Sequence, residues 1–285
     1  MNNMKQSLHL IAGITSLIIL GLVLIGFNFY AQTLEQRHVN ALAPLKLPAA
    51  RNGTALQHAA LQQADLLPLY GSSELTLLDT SFKANNFFAT YPTDFMVFEV
   101  ANLGASSITI AQSLATLGPD LRGKKIVISL SPADYTINMS PAPYYKENYS
   151  RLHVYGMIFS PYLSMNIKKS AARSMLLQPK TLQDDPFLKF TLSQIATSKQ
   201  GRLLYYLLWP LGELQTEIMR LQDHAAVVSL ILSRRIELHV PHTRKTLDWA
   251  GIHTQALAEQ KQHSLNNPYG IEDSKWWVYS SGIAR

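Results

Sequence analysis

From Leu10 to Phe27 the chain reads as one uncharged apolar run, LIAGITSLIILGLVLIGF. At ~1.5 Å per residue, a helix over this run is about 27 Å long, close to the hydrocarbon thickness of a bilayer. Tyr30 falls where an interfacial aromatic belongs. Lys5 and the α-amino group precede the run, and Glu35 and Arg37 follow it. That slight positive bias favours a cytoplasmic N-terminus and an extracytoplasmic main domain. Phe29-Tyr30-Ala31 is a poor cleavage site, because a bulky Phe stands where signal processing wants a small residue. The pattern predicts a retained, single-pass anchor in the cell membrane. Leu203–Trp209 is also apolar, but it is short and Pro210 follows. It predicts a core helix or a surface-seated patch.

Residues 32–65 are polar, rich in Ala and Gln, and broken by Pro44, Pro48 and Gly53. They predict a stalk followed by a short helix over 55–63. The period then changes. Leu66–Tyr70, ending at Gly71, predicts a first strand, although Pro68 lacks the N–H that a central strand uses. Phe95–Val100 predicts a second strand, with the register of Glu99 open. Asn102–Ser107 reads as a loop, and Thr109–Leu117 as a helix stopped by Gly118-Pro119. The continuous apolar character of Lys125–Leu130 predicts a strand covered on both faces, ended by Ser131-Pro132. Strand, loop, helix, strand at this spacing is a βαβ layout.

Residues 145–265 predict mostly helix. Ala226, Val227, Leu230 and Ile231 form an apolar face within 223–235. Thr243 is placed to cap a helix towards Trp249, and Asn266–Gly270 reads as a turn. The chain thus divides into a cytoplasmic tip and anchor (1–31), a stalk and short helix (32–65), and an α/β domain (66–285) with a helical insertion at about 145–265. Three strands are few for an open α/β sheet, so the domain reads as C-terminally incomplete, part of a longer protein.

Composition narrows the partners. Hydrophobic residues make up 47% and charged residues only 15%, low for a soluble globular protein and in keeping with a domain close to a membrane. The net charge is +6, but the basic residues are scattered, with short pairs such as Lys124-Lys125 and Lys168-Lys169. No aromatic-basic ladder or zinc-finger spacing accompanies them, which argues against nucleic acid and leaves an anionic surface or polymer. The absence of cysteine excludes disulfides, thiolate metal sites and cysteine nucleophiles. His239-x-x-His242 has no convincing carboxylate third ligand, so no metal site is predicted, and nothing calls for a cofactor.

The sharpest local signal is Tyr70-Gly71-Ser72-Ser73-Glu74-Leu75. A glycine and small residues at a strand's end allow a tight turn that lifts a serine out at the sheet's carboxyl edge. A following helix aims free N–H groups at that point, where they stabilise the oxyanion of acyl transfer. The same Gly-Ser-Ser also serves as an ordinary turn or helix cap, and the residues alone leave both readings open. His153 and His224 read equally well as pocket, surface or core residues.

The motif resembles the DltD family of D-alanyl-lipoteichoic acid biosynthesis proteins. The similarity extends over four ordered blocks: the anchor with Tyr70–Leu75; Leu103-Gly104-Ala105-Ser106; Leu121–Lys125 with Ile128-Ser129-Leu130-Ser131-Pro132; and Tyr269–Trp276. The resemblance implies an SGNH-hydrolase-like three-layer α/β/α domain. It implies Ser73 as nucleophile, Ser72 in place of the Asp of the GDSL motif, and oxyanion donors at Ser73 and near Gly104. Gly71, Ser131 and Asp134 are expected to line the pocket; the ordinary roles of the last two are a turn and a helix cap. Asn102 precedes Gly104 but lies outside the matched position of the SGNH asparagine. The implied partners are the D-alanyl carrier protein, a membrane-bound O-acyltransferase and an anionic envelope polymer. The implied reaction is D-alanyl transfer or a thioesterase/esterase-like step. The family's Asp-x-x-His element, which supplies base and orienting carboxylate, does not follow Trp276. A non-catalytic binding role in the same assembly, or action on another acylated envelope polysaccharide, is the alternative.

Overall fold

The computed structural model describes residues 2–45, 52–76, 83–91, 95–130, 142–197 and 199–234, with isolated positions 47, 49, 248, 250, 251, 253, 254, 257 and 258. Its first element, α1 (Asn2–Leu42), is one helix of 41 residues, about 60 Å long at ~1.5 Å per residue. The apolar half is a candidate membrane span. The other half was expected to be stalk, yet residues 32–42 continue the same helix. Ala31, Glu35, Val39 and Leu42 recur at helical spacing and are almost wholly buried, so that face is pulled into the domain core.

α2 (Ala55–Gln62) packs on this part of α1 and on β1 (Leu66–Gly71). The turn α3 (Ser73–Thr76) follows, then α4 (Ala84–Thr90) and β2 (Met96–Ala101). Glu99, whose register the sequence left open, accepts the Asn85 N–H at 3.2 Å. Half-burial raises its pKa above the ordinary carboxylate value. α5 (Ser107–Leu117) is opened by Ser106, whose N–H donates to Thr109 Oγ1 at 2.9 Å. A 3₁₀ turn at Gly118–Leu121 leads to β3 (Val127–Ile128).

The three strands form a parallel sheet in the order β2-β1-β3, the βαβ arrangement expected. β1 is central despite Pro68. The Tyr70 carbonyl accepts the Ser129 N–H at 2.7 Å, so Tyr70 points its polar groups at β3. By alternation Pro68 faces the same side, but pairing with β3 begins only at Leu69. The missing donor therefore falls just outside the ladder. The same geometry corrects the reading of Lys125–Leu130 as a long strand covered on both faces. Only Val127 and Ile128 pair, and they are 43% and 41% exposed. Among the described residues this is an edge strand, cut short on the Pro68 side, with an apolar face left open.

The rest of the described chain is helical, as expected. α6 (Ala142–Glu147), α7 (Arg151–Phe159), α8 (Met165–Leu176), α9 (Pro186–Thr197) and α10 (Lys199–Arg234) complete it. Two apolar cores result. One joins Val39 and Leu42 of α1 with α2, the sheet and α5, and takes in Val227 and Ile231 of α10. The other is aromatic and lies between α7, α8, α9 and α10 around Tyr155, Phe159 and Tyr205. Leu203–Trp209 lies in α10, which runs on through Pro210. Of the apolar face read within 223–235, Val227 and Ile231 are buried, while Ala226 is exposed. The features read at Thr243, Asn266–Gly270 and Tyr269–Trp276 lie outside the described residues.

α10 is fastened to the N-terminal half by two polar contacts. Asp223 Oδ2 accepts the N–H groups of Thr54 and Ala55 at 2.6 and 2.8 Å, at the start of α2. His224 Nδ1 lies 2.8 Å from Glu35 Oε1. Burial alone would depress the His224 pKa, but the Glu35 carboxylate outweighs it and raises the value. The pair's contribution is therefore full below about pH 6.5, the unfolded value, and is lost as pH rises through the raised folded value. Glu35→Gln is expected to cost about 2 kcal/mol at pH 6 and clearly less at pH 9. Denaturant melts of both forms at the two pH values check this.

Candidate functional site at the carboxyl edge of the sheet

β1 ends in a close-fitting turn. The Ser72 N–H donates to Glu74 Oε1 at 2.8 Å, and the Leu75 N–H donates to the Ser72 carbonyl at 3.2 Å. The motif's glutamate thus folds back over its own turn. A Cβ on Gly71 would lie 2.6 Å from Glu74 Oε1, so only glycine lets the side chain come so close. Ser73 opens α3 and is half-buried; among the described residues its Oγ has no hydrogen-bond partner.

The second loop leaves the sheet beside it, because Gly71 and Ala101 are register partners. Gly104 takes a left-handed φ of 70°, and a Cβ there would meet the Tyr144 side chain at 2.8 Å. Two amides of this loop are engaged internally, Ala105 N–H with the Asn102 carbonyl at 3.1 Å and Ser106 N–H with Thr109 Oγ1 at 2.9 Å. Among the described residues, the N–H groups of Ser73 and Gly104 have no acceptor. In an open parallel sheet, ligands bind beyond the carboxyl ends of the strands, where the strand order reverses. Here that point is the end of β1, since β2 lies on one side and β3 on the other.

A buried polar network holds β1 from beneath. Tyr70 Oη and Ser113 Oγ both donate to Gln57 Oε1, at 3.0 and 2.9 Å. Gln57 Nε2 donates to the Gly53 carbonyl at 2.6 Å, and His153 Nε2 donates to the same carbonyl at 3.2 Å. His153 is fully enclosed, and burial pushes its pKa down to about 4. It is a core histidine, neutral at physiological pH. The fold contains it uncharged while the unfolded chain protonates near pH 6.5. Its contribution is thus present above about pH 6.5 and lost as pH falls towards 4, on the order of 3 kcal/mol. Thermal melts between pH 7 and 4.5 are expected to flatten in His153→Gln, which keeps a donor for Gly53.

The structure thus brings Gly71, Ser72, Ser73 and Gly104 to one edge. Ser131 and Asp134, and the pair His239 and His242, lie outside the described residues. No described histidine is bonded to Ser73: His153 is held by Gly53, His58 by Asp120 at 2.5 Å, and His224 by Glu35. No group of residues suited to a metal occurs among the described residues.

The sequence reading missed a cavity of about 850 Å³ between α1 and the domain. Both histidine–carboxylate pairs line it, together with Leu24, Ile25, Tyr162 and Glu213. The His58 hydrogen bond holds Asp120 below the ordinary carboxylate range, against the opposing effect of burial. Burial raises Glu213. The helical period of Ala31, Glu35 and Val39 was the one signal in the sequence that α1 belongs to the domain.

Fold and edge together define a parallel α/β protein with a serine turn at its sheet's switch point, joined to a helical bundle and an apolar N-terminal helix. A family model described as DltD protein matches residues 48–282, and the chain belongs to the DltD family. It is 25% identical over 253 residues to Protein DltD of Bacillus subtilis (strain 168), covering 89% of this chain and 63% of that protein. It is 24% identical over 226 residues to Protein DltD of Staphylococcus aureus (strain NCTC 8325 / PS 47), covering 79% of this chain and 55% of that protein. The chain therefore spans less than two thirds of the length of these curated relatives.

Proposed function

We propose that this chain is a membrane-anchored, SGNH-like serine acyl carrier in the D-alanylation of teichoic acid, with α1 as a single-pass anchor and the domain outside the membrane. The observation that carries the reading is the edge at Ser73: a half-buried hydroxyl on a tight turn, unbonded among the described residues, beside two N–H groups that no described acceptor engages. In the step, Ser73 Oγ loses its proton and attacks the carbonyl carbon of a D-alanyl ester or thioester. The N–H groups of Ser73 and Gly104 stabilise the tetrahedral oxyanion. The donor's C–O or C–S bond breaks, and its alkoxide or thiolate leaves with a proton. An acceptor hydroxyl on an anionic envelope polymer then takes the acyl group by the same steps in reverse; water as acceptor makes the step an esterase reaction. The D-alanyl carrier protein and a membrane-bound O-acyltransferase are the proposed neighbours in this route. A serine hydroxyl is a weak nucleophile without a base, and no described histidine reaches Ser73. That observation favours the second reading, a non-catalytic binding protein of the same assembly.

A fluorophosphonate probe separates the two. The serine-carrier reading expects one covalent adduct by intact mass, mapped to Ser73 and absent from Ser73→Ala. A protein that stays unlabelled at Ser73 while its Ser73→Ala form keeps function would support the binding role instead.

A further inference from the structure

α10 carries an apolar stripe that nothing in the described residues covers. Leu203, Leu207, Leu211, Leu214 and Ile218 follow one another at helical spacing, and Leu203 and Leu207 are each 68% exposed. Between Leu203 and Leu211 every exposed residue is apolar, aromatic or proline, with Tyr206 on the flank at 58%. The opposite face is fixed in the aromatic core. Tyr205 is buried and donates to the Ile158 carbonyl at 2.9 Å, and Trp209 Nε1 donates to the Phe159 carbonyl at 2.7 Å. The stripe therefore cannot turn inward without breaking that core.

Its position relative to α1 indicates what covers it. His224 meets Glu35, and the large cavity is lined by Leu24 and Ile25 of α1 opposite Glu213 and Glu217 of α10. The steps from Glu35 to Leu24 and from His224 to Glu213 are equal in residues, so the two helices run in the same direction towards the apolar end of α1. Leu24 and Ile25 already belong to the candidate span, and the stripe continues from Glu213 further in that direction. Tyr162 also lines this cavity and is 68% exposed. Apolar residues at helical spacing, tyrosines on the flank and an exposed cation, Arg202, at the end of the stripe are the features of a helix seated in a bilayer interface.

We propose that the Leu203–Ile218 face of α10 is a second membrane contact, seated in the lipid bilayer on the same side as the outer end of α1. The inference rests on the reading of α1 as the anchor. Two contacts, one from each helix, fix the tilt of the domain as well as its attachment.

The chain has no cysteine, so single nitroxide labels can be placed without background. The full chain is reconstituted into vesicles of phosphatidylcholine and phosphatidylglycerol, labelled at Leu207→Cys, with Leu203→Cys as a second stripe site. Leu17→Cys reports the anchor, and Lys180→Cys, in the loop between α8 and α9, reports the water-exposed domain. Accessibility is read to oxygen, which concentrates in lipid, and to a nickel chelate, which stays in water. The expected result is oxygen accessibility over nickel at Leu17 and at both stripe sites, with nickel favoured at Lys180. Lipid signals at Leu17 with nickel-accessible stripe sites would overturn the second contact and leave the anchor standing. A nickel-accessible Leu17 would overturn the anchor and the inference with it. Stripe labels shielded from both reagents would overturn it in favour of a protein cover.

Discussion

With Ser73 as the proposed acyl carrier, Ser73→Ala is expected to reduce D-alanyl transfer by on the order of 10³-fold or more, because the proposed step forms its new bond at the Ser73 hydroxyl. The fold should be unchanged. Ser73 is half-buried and its hydroxyl has no hydrogen-bond partner among the described residues, so the melting temperature is expected to stay within about 1 °C, as for a surface change of under ~0.5 kcal/mol. Ser72→Ala is the matching control. The part of Ser72 that shapes the turn is its backbone, through the N–H to Glu74 and the carbonyl to Leu75, and alanine keeps both. It is expected to retain at least about a third of the activity. Measuring D-alanyl ester on the polymer in cells carrying each variant checks the pair. Equal losses from the two would point to the turn, not to the Ser73 hydroxyl.

The largest effect on stability is expected at Gly212 in α10. A Cβ at this position would overlap the ring of Phe159, which is fully buried. That ring is stacked on Phe187 at 6.0 Å and on Tyr205 at 6.1 Å. The Phe159 carbonyl is held by Trp209 as well, so neither ring nor backbone has room to retreat. Gly212→Leu must force α7 and α10 apart, at about 3 kcal/mol or more. For a domain of this size that lowers the melting temperature by about 10 °C. Leu211→Ala, one residue away but exposed, is expected to change stability by less than about 0.5 kcal/mol. Parallel thermal melts of the two variants in detergent provide the test.

What the sequence made legible was local. β1, β2 and α5 were visible because burial follows a short period and the stops are chemical: Gly71 and Gly118-Pro119. The serine turn was visible for the same reason. The extent of β3 was not, because whether an apolar strand is covered depends on its neighbours. Here Pro68 of β1 stands at the limit of the pairing, which no pattern within 125–130 records. The pairs His58–Asp120 and Glu35–His224 join residues 62 and 189 positions apart, and nothing in the sequence near either partner announces the other. The continuation of α1 past residue 31 was masked by its polar composition, although the spacing of its buried residues recorded it.

That continuation has a mechanical consequence. α1 passes from its apolar run into the domain core without a hinge, so it acts as a strut rather than a tether. With α1 as the proposed anchor, a flexible linker would let the serine edge sweep a volume over the bilayer; a stiff helix holds it at one height and one azimuth. Each residue of helix sets about 1.5 Å of that height and about 100° of that azimuth. The length between Phe27 and Ala31 is therefore a phase setting for the whole domain. With the serine edge held still, it falls to whatever binds there to travel to it.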